Sequence, residues 1–336
     1  MKVKKIVSII ILIIFSTAMV LLPTGCSKKE GAVEKEQKLT IGIIQLASHV
    51  ALDASREGFI AALADNGYKD GENIVIDYHN AQDDQSNLSA ISDRFVSNKV
   101  DLVLAIATKA AQAIAGKTTE IPILGTAITD YETARLVESN EKPGGNVTGT
   151  TDMNPIKEQI DLLVKLVPGV ETVGVLYNSS EDNSVVQAKI AKKIIEERGL
   201  KYTEVTVSSS NEVQQATQAV VKECDAIYIP TDNTFAASIP VVHGVTVQSK
   251  TPVICGESGM VKSGGLATLG INYYNLGYQT GLMAVRILRD GADPASMPIE
   301  SQDKFDFTIN GTVAREIGLE IPADLQEYVE EYQINE

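Results

Sequence analysis

The sequence predicts two Rossmann-like α/β lobes with parallel sheets, joined by a hinge. Three observations lead there. From residue 39 to residue 126 short apolar runs alternate with amphipathic helical stretches, the pattern of a doubly wound parallel sheet. The alternation lapses over residues 130–151, around Lys142-Pro143-Gly144-Gly145-Asn146, and then restarts. Polar loops follow the strands in both halves, so they are expected to face one cleft at the strand C-terminal ends, where such sheets bind ligands.

The chain begins with a basic stretch, residues 1–5, and a nearly continuous apolar run, residues 6–22. Pro23-Thr24-Gly25-Cys26 follows. A basic start, an apolar run and small residues before a cut site make an export signal. Residues 1–25 are expected to be a signal peptide, and residues 26–38, polar and charged, a flexible tether. An uncleaved span would leave Cys26 unexplained.

In the first lobe, residues 39–45 (LTIGIIQ) form a strand and 46–50 its loop. Residues 51–66 are helical, with Ala54, Gly58, Ile60, Ala61 and Leu63 on the apolar side, and Asn66-Gly67 ends them. A strand at 73–78 and a helix at 85–98 follow, the latter with Leu88, Ile91, Phe95 and Val96 inward. Residues 101–107 (DLVLAIA) are an unbroken apolar run of the kind buried on both faces. An Ala-rich helix (108–116) and a strand (121–126) complete this half, and residues 130–151 read as a linker.

The second half runs helix 155–166, strand 173–177, a helix stopped by Gly199, strand 202–207, helix 212–223 and strand 226–230. Residues 235–250 are expected to form only a weak helix, because Pro240, Gly244 and several β-branched residues oppose it. A strand at 252–256 precedes a return strand at 264–272 (GGLATLGIN), a helix at 275–290, a strand at 305–309 and a short helix at 314–318. The expected lobes are 39–150 plus 263–295 and 151–262 plus 296–336. Cys224 and Cys255 fall in or beside apolar strands, as buried thiols or as a disulfide between neighbouring strands.

Composition narrows the function. The chain has 336 residues, 44% of them hydrophobic, enough for two domains with a large core. Its net charge of −15 disfavours nucleic acid, which needs a positive surface. Only three histidines are present, and no Cys/His cluster has metal-ligand spacing, so no metal or cofactor is expected. There is no phosphate loop, no G-x-G-x-x-G after a strand and no G-x-S-x-G elbow. The pairs Asp83-Asp84 and Glu181-Asp182 lie in polar loops and read as solvated. His49 near Asp53 is either a base with its orienter or a polar wall residue. The chain is expected not to be an enzyme.

The polar loops after strands are 45–53, 107–109, 126–130, 178–184, 231–234 and 257–258. In the loop 178–184, Asn183 or Ser184 is the expected helix N-cap, and the free amides behind it suit a small anionic group such as a carboxylate.

Eight segments, in order, carry a resemblance: IGIIQLASHVALD (41–53), REGFIAAL (56–63), GENIVIDYHNAQDDQ (71–85), DLVLAIATKAAQA (101–113), KPGGNVTGTTDM (142–153), GVLYNSSEDNS (174–184), YIPTDNT (228–234) and GGLATLGINYYNLG (264–277). Together they resemble the substrate-binding lipoproteins of ABC transporters, in the family that includes the tryptophan/tyrosine-binding TrpX proteins. Cys26 after Gly25 likewise resembles the bacterial lipoprotein signal, in which that Cys is acylated. Pro23 departs from it, since Leu is usual there.

The resemblance implies a periplasmic-binding-protein-like fold of type I that closes on a small molecule. It implies a monomer anchored through Cys26 on the outer face of the cytoplasmic membrane, with an ABC permease and its ATPase subunit as partners. The implied ligand is an amino acid, aromatic by family: tryptophan, tyrosine or phenylalanine. Its carboxylate would meet Asn183, Ser184 and Thr108. Its ammonium would meet Asp232 or Asp130. Leu46, Ala51 and Leu52 would wall its side chain, with Tyr273 at the crossing. Gln45, His49, Asp53, Thr126, Asn178, Glu181, Asn233 and Glu257 complete the candidate site. Rival roles are a sensor module for a membrane signalling partner, a secreted hydrolase, and a receptor for a sugar or nucleoside.

Overall fold

The computed structural model describes residues 38–334. The signal peptide, Cys26 and almost all of the tether lie outside the described residues.

The first sheet has five parallel strands: β1 (Leu39–Gln45), β2 (Ile74–Asn80), β3 (Leu102–Ile106), β4 (Ile123–Ile128) and β5 (Val147–Thr151), in the order β2-β1-β3-β4-β5. Helices α1 (Val50–Asp65), α2 (Gln85–Asn98) and α3 (Thr108–Ala115) connect its first four strands. Strand β3 is buried at every position, as its unbroken apolar run requires. Strand β5 corrects the linker expected at 130–151. Its sequence, VTGTT, has a single large apolar residue, so no hydrophobic run announces it. Its threonine hydroxyls are buried and bonded: Thr148 donates to the Met297 carbonyl (2.7 Å), and Thr150 pairs with Thr280 (2.8 Å).

The second sheet holds β6 (Thr172–Asn178), β7 (Lys201–Val207), β8 (Ala226–Ile229), β9 (Val253–Cys255), β10 (Ala267–Gly270), β11 (Asp306–Asn310) and β12 (Val329–Glu330), in the order β12-β11-β10-β9-β8-β6-β7. Only the β10–β11 pairing is antiparallel. Its helices are α4 (Ile156–Leu166), α5 (Asp182–Glu197), α6 (Val213–Val220), α7 (Asn233–Ser249), α8 (Ser258–Lys262) and α10 (Gly311–Ile317); α9 (Tyr273–Asp290) belongs with the first sheet.

Two expectations change here. The return strand, β10, pairs in the second sheet, so the crossing to the first falls just before Tyr273 and not at residue 263. Residues 297–300 stay with the first: Met297 joins its core, and Thr151 N–H donates to the Glu300 carbonyl (2.8 Å). The weak helix expected over 235–250 is a continuous helix, α7. Asp232 caps its start, accepting from Phe235 N–H at 2.9 Å. Phe235, Ile239, Val242 and Thr246 form one buried stripe, while Pro240 lies on the exposed side, where solvent can serve the carbonyl it leaves free. Tertiary packing outweighs the local propensity. Cys224 and Cys255 are both free thiols.

Three crossings join the two sheets, and side chains tie each to the next. Asn154 Oδ1 accepts from Ile271 N–H (3.0 Å), Tyr273 OH donates to Asp152 Oδ2 (2.7 Å), and Gln302 Nε2 donates to the Asn272 carbonyl (3.1 Å). Beyond the second crossing, α9 lies against α1 with backbones nearly touching. A Cβ on Gly277 would stand 1.9 Å from the Ser55 carbonyl oxygen, and one on Gly58 2.0 Å from that of Tyr274. Gly277→Val is therefore expected to cost about 3 kcal/mol of unfolding free energy, read by denaturant titration. A loss below about 1 kcal/mol would show that the two helices part easily.

Candidate ligand-binding site

The C-terminal ends of strands from both sheets converge on a cavity of about 290 Å³ of unfilled space. The space is narrow, and little of it admits a water-sized sphere. From the first sheet come His49, Ala51 and Leu52 after β1, Ala127 and Thr129 at β4, and Asp152 after β5. From the second come Asn183 after β6, Thr231, Asp232, Asn233 and Ala236 after β8, Glu257 and Met260 after β9, and Tyr273 after β10. The β4–β5 register shifts between Gly125 and Ile128, and Ala127 takes a left-handed backbone (φ 55°), unusual for a residue with a side chain. This bulge sets Ala127 and Thr129 at the cavity wall.

The polar wall is organised by buried carboxyls. Asp152 accepts from Thr129 Oγ1 (2.8 Å) and Tyr273 OH (2.7 Å). Burial raises its pKa, and those two hydrogen bonds limit the rise. Glu257 caps α8, accepting from the Gly259 and Met260 amides, yet burial pushes its pKa up to about 7. Asp232 accepts from Asn178 N–H (2.6 Å) and Phe235 N–H. Burial, then the nearby Glu181 charge, raises its pKa too. Glu181 sits behind the wall, fully buried. It accepts from the amide and hydroxyl of Thr234 (3.1 and 2.9 Å) and from the amide and side chain of Asn233 (3.1 and 2.7 Å). It thereby fastens the loop after β6 to the first turn of α7. A wall with this many buried carboxyls suits an occupant that brings positive charge.

Ala51, Leu52, Ala127, Ala236 and Met260 supply the apolar part of the lining. His49 Nε2 lies 3.2 Å from Asn233 Oδ1, a contact between the two halves. Burial lowers the His49 pKa, so the ring is neutral at physiological pH. Further direct ties between the halves here include Gln187 Nε2 to Thr129 Oγ1 (3.4 Å), Gln112 Nε2 to Asp182 Oδ2 (3.1 Å) and Lys109 Nζ to Ser180 Oγ (3.5 Å).

Of the residues singled out in the sequence, His49, Leu52, Asn183, Asp232, Asn233, Glu257 and Tyr273 line the cavity, as does Ala51. The others do not. Gln45 and Asp53 are spent on Arg56, whose guanidinium donates to both (2.6 and 2.8 Å) and stacks over Tyr78. Burial alone would raise the Asp53 pKa; hydrogen bonds from Gln45, Ser48 and Arg56 hold it below the ordinary value. Leu46 belongs to the first core. Thr126 accepts from Thr150 inside the sheet (3.3 Å), and Asp130 caps a turn by accepting from Thr133 N–H (2.9 Å). Asn178 Nδ2 donates to Thr234 Oγ1 (2.7 Å). Thr108 is buried in the first turn of α3, and Ser184 in that of α5. The N-cap of α5 is Glu181, not Asn183 or Ser184, because the helix begins earlier than expected, at Asp182. The Glu181 carbonyl already accepts the Ser184 and Val185 amides.

Asp152, Ala236 and Met260 lay outside every polar loop read from the sequence. Asp152 follows the unannounced strand β5, and the other two sit inside helices. The loops did contain Ala127, Thr129 and Thr231.

The raised carboxyls set a pH dependence. The Glu257 contribution to stability is fully present below its ordinary value of 4.5 and is lost as pH rises through about 7; Asp152 and Asp232 act in the same direction. In denaturant titrations, Glu257→Gln should be less sensitive than wild type to raising the pH from about 5 to 8. Equal pH slopes in the two proteins would show that Glu257 is already ionised below that range. Glu181→Ala should cost about 3 kcal/mol, because it strands buried amide donors. A loss under about 1 kcal/mol would mean that water replaces the carboxylate.

Comparison with known proteins agrees with this architecture. Residues 40–333 match the family model described as ABC transporter substrate binding protein. The chain is 40% identical to the tyrosine-binding protein of Clostridioides difficile (strain R20291), over 98% of this chain and 96% of that one. Its structure is similar to that of the ABC domain of Streptococcus pneumonia in complex with L-Trp (TM-score 0.84, 39% identity, covering 88% of this chain and 100% of that one). It is also similar to the ligand-free, open structure of a Clostridium difficile substrate-binding protein with adhesive properties (TM-score 0.69, 44% identity, 88% and 100% covered). With its two α/β halves, its cavity at the strand ends and this match along nearly the whole described chain, the protein belongs to the ABC transporter substrate-binding protein family, whose members bind solutes and do not transform them.

Proposed function

We propose that this chain is the extracytoplasmic receptor of an ABC importer and that it holds an aromatic amino acid in the cavity between its two sheets. The observation that carries this is the cavity itself. It is a narrow space at the strand ends of both sheets, lined by the buried carboxyls of Asp152, Asp232 and Glu257 and by apolar side chains. An amino acid with a large apolar side chain has the matching halves: an ammonium for the carboxyls and a ring for Ala51, Leu52, Ala236 and Met260. The tyrosine-binding relative and the tryptophan-bound structure support the ligand class.

The same two structural relatives bear on the state of the cleft. The fit to the L-Trp complex (TM-score 0.84) is closer than that to the open, ligand-free form (0.69), although the latter is more similar in sequence (44% against 39%). This favours a closed arrangement here, consistent with the narrow cavity and the ties between the halves, and hinge opening would admit the ligand. The anchor rests on the sequence at Cys26 and on its resemblance to the lipoprotein signal. Two or more acyl chains would hold the protein stably on the outer face of the cytoplasmic membrane.

A thermal-shift panel of the common amino acids, sugars and nucleosides tests the ligand class. L-Trp, L-Tyr or L-Phe at 100 times its dissociation constant should stabilise the protein by about 2.7 kcal/mol. A sugar or nucleoside that raises the melting temperature while no aromatic amino acid does so would overturn the assignment. For the anchor, Cys26→Ala should release the protein into the medium and abolish incorporation of labelled palmitate; continued membrane association of the unlabelled variant would argue for another mode of attachment.

A further inference from the structure

The orientation of His49 follows from a chain of hydrogen bonds. Asn233 Nδ2 donates to Glu181 Oε2 (2.7 Å), and a carboxylate can only accept. The Asn233 amide is thereby turned so that its oxygen faces His49 Nε2, at 3.2 Å. Nε2 must then carry the proton. Burial keeps the imidazole neutral, so its other nitrogen, Nδ1, is a bare acceptor. That atom is sealed from solvent and has no partner among the described residues, although the side chain lines the cavity. An unpaired buried acceptor is costly, and an occupant with a donor would recover that cost.

The cavity offers an ammonium other partners, the buried carboxyls of Asp152, Asp232 and Glu257. His49 caps the helix whose first turn carries Ala51 and Leu52, and it is held at Asn233, one turn before Ala236. An ammonium is drawn to those carboxyls, while a carboxylate is repelled by the Nδ1 lone pair. We propose that His49 Nδ1 accepts a hydrogen bond from the ligand's side-chain donor, an indole N–H or a phenol O–H, and so makes the site prefer a donor-bearing aromatic amino acid to phenylalanine. This rests on the aromatic amino-acid assignment above.

Calorimetric titration of the purified protein with L-Tyr, L-Phe, L-Trp and 1-methyl-L-tryptophan tests it. Wild type should bind at least one of L-Tyr and L-Trp about tenfold or more tighter than its donor-less counterpart, L-Phe or 1-methyl-L-tryptophan. His49→Phe, which keeps a ring but removes the acceptor, should shrink that ratio to about twofold or less, even if loss of the Asn233 contact weakens every ligand alike. An unchanged ratio in the variant would overturn the proposal. The wild-type comparison needs no variant to fold, and wild type that binds the donor-bearing and donor-less ligands equally would overturn it as well, while leaving the aromatic amino-acid assignment intact. Wild type that binds none of the four would remove that assignment and this inference together.

Discussion

The hydrogen bond from Tyr273 OH to Asp152 is the contact on which much of this molecule depends. Asp152 begins the first crossing between the sheets, and Tyr273 ends the second and starts α9. Both also line the cavity. The residues that join the halves are therefore residues that an occupant would touch. The carboxyl is held by Thr129 from the first sheet and by Tyr273, which together offset part of the cost of burying it. An occupant's positive charge beside Asp152 would strengthen the ionised form of a group already built into the hinge, so that binding and closure share one electrostatic element.

From Tyr273 the connection continues through α9 to α1. Gly58 and Gly277 let the two helices approach until backbone meets backbone. This contact sets the position of α1, and with it His49, Ala51 and Leu52 at its start. The cluster of Arg56, Gln45, Asp53 and Tyr78 holds the same end of α1 from the opposite side. Neither feature touches the cavity, yet together they determine where one wall of it stands.

Much of the fold could be read in the sequence because most strands are runs of large apolar residues. The exceptions have physical causes. Strand β5 stabilises itself through buried threonine hydroxyls, which a search for hydrophobic runs cannot see. Helix α7 survives Pro240 because its buried stripe and its Asp232 cap outweigh local propensity. The site was legible at the level of loops and less so at the level of side chains. Polar residues at strand ends serve two competing purposes, lining a cavity and satisfying the backbone amides exposed there. Asn178 and Asp130 have gone to the second purpose, and Gln45 and Asp53 to a third, binding the Arg56 side chain. Which purpose claims a residue depends on partners distant in sequence: Thr234 for Asn178, Arg56 for Gln45.

The three tied crossings also have a mechanical consequence. A single linker would let two bodies swing, twist and slide independently. Three neighbouring strands of backbone, fastened to one another by Asn154, Tyr273 and Gln302, resist twist and shear, because those movements would break the bonds between them. Bending about the line that passes through all three is the soft direction. Were the cleft to open and shut, the outer faces of the two halves would trace one path. A protein that grips both faces would have a single variable to measure, their angle, and that one number would report whether the cavity is filled.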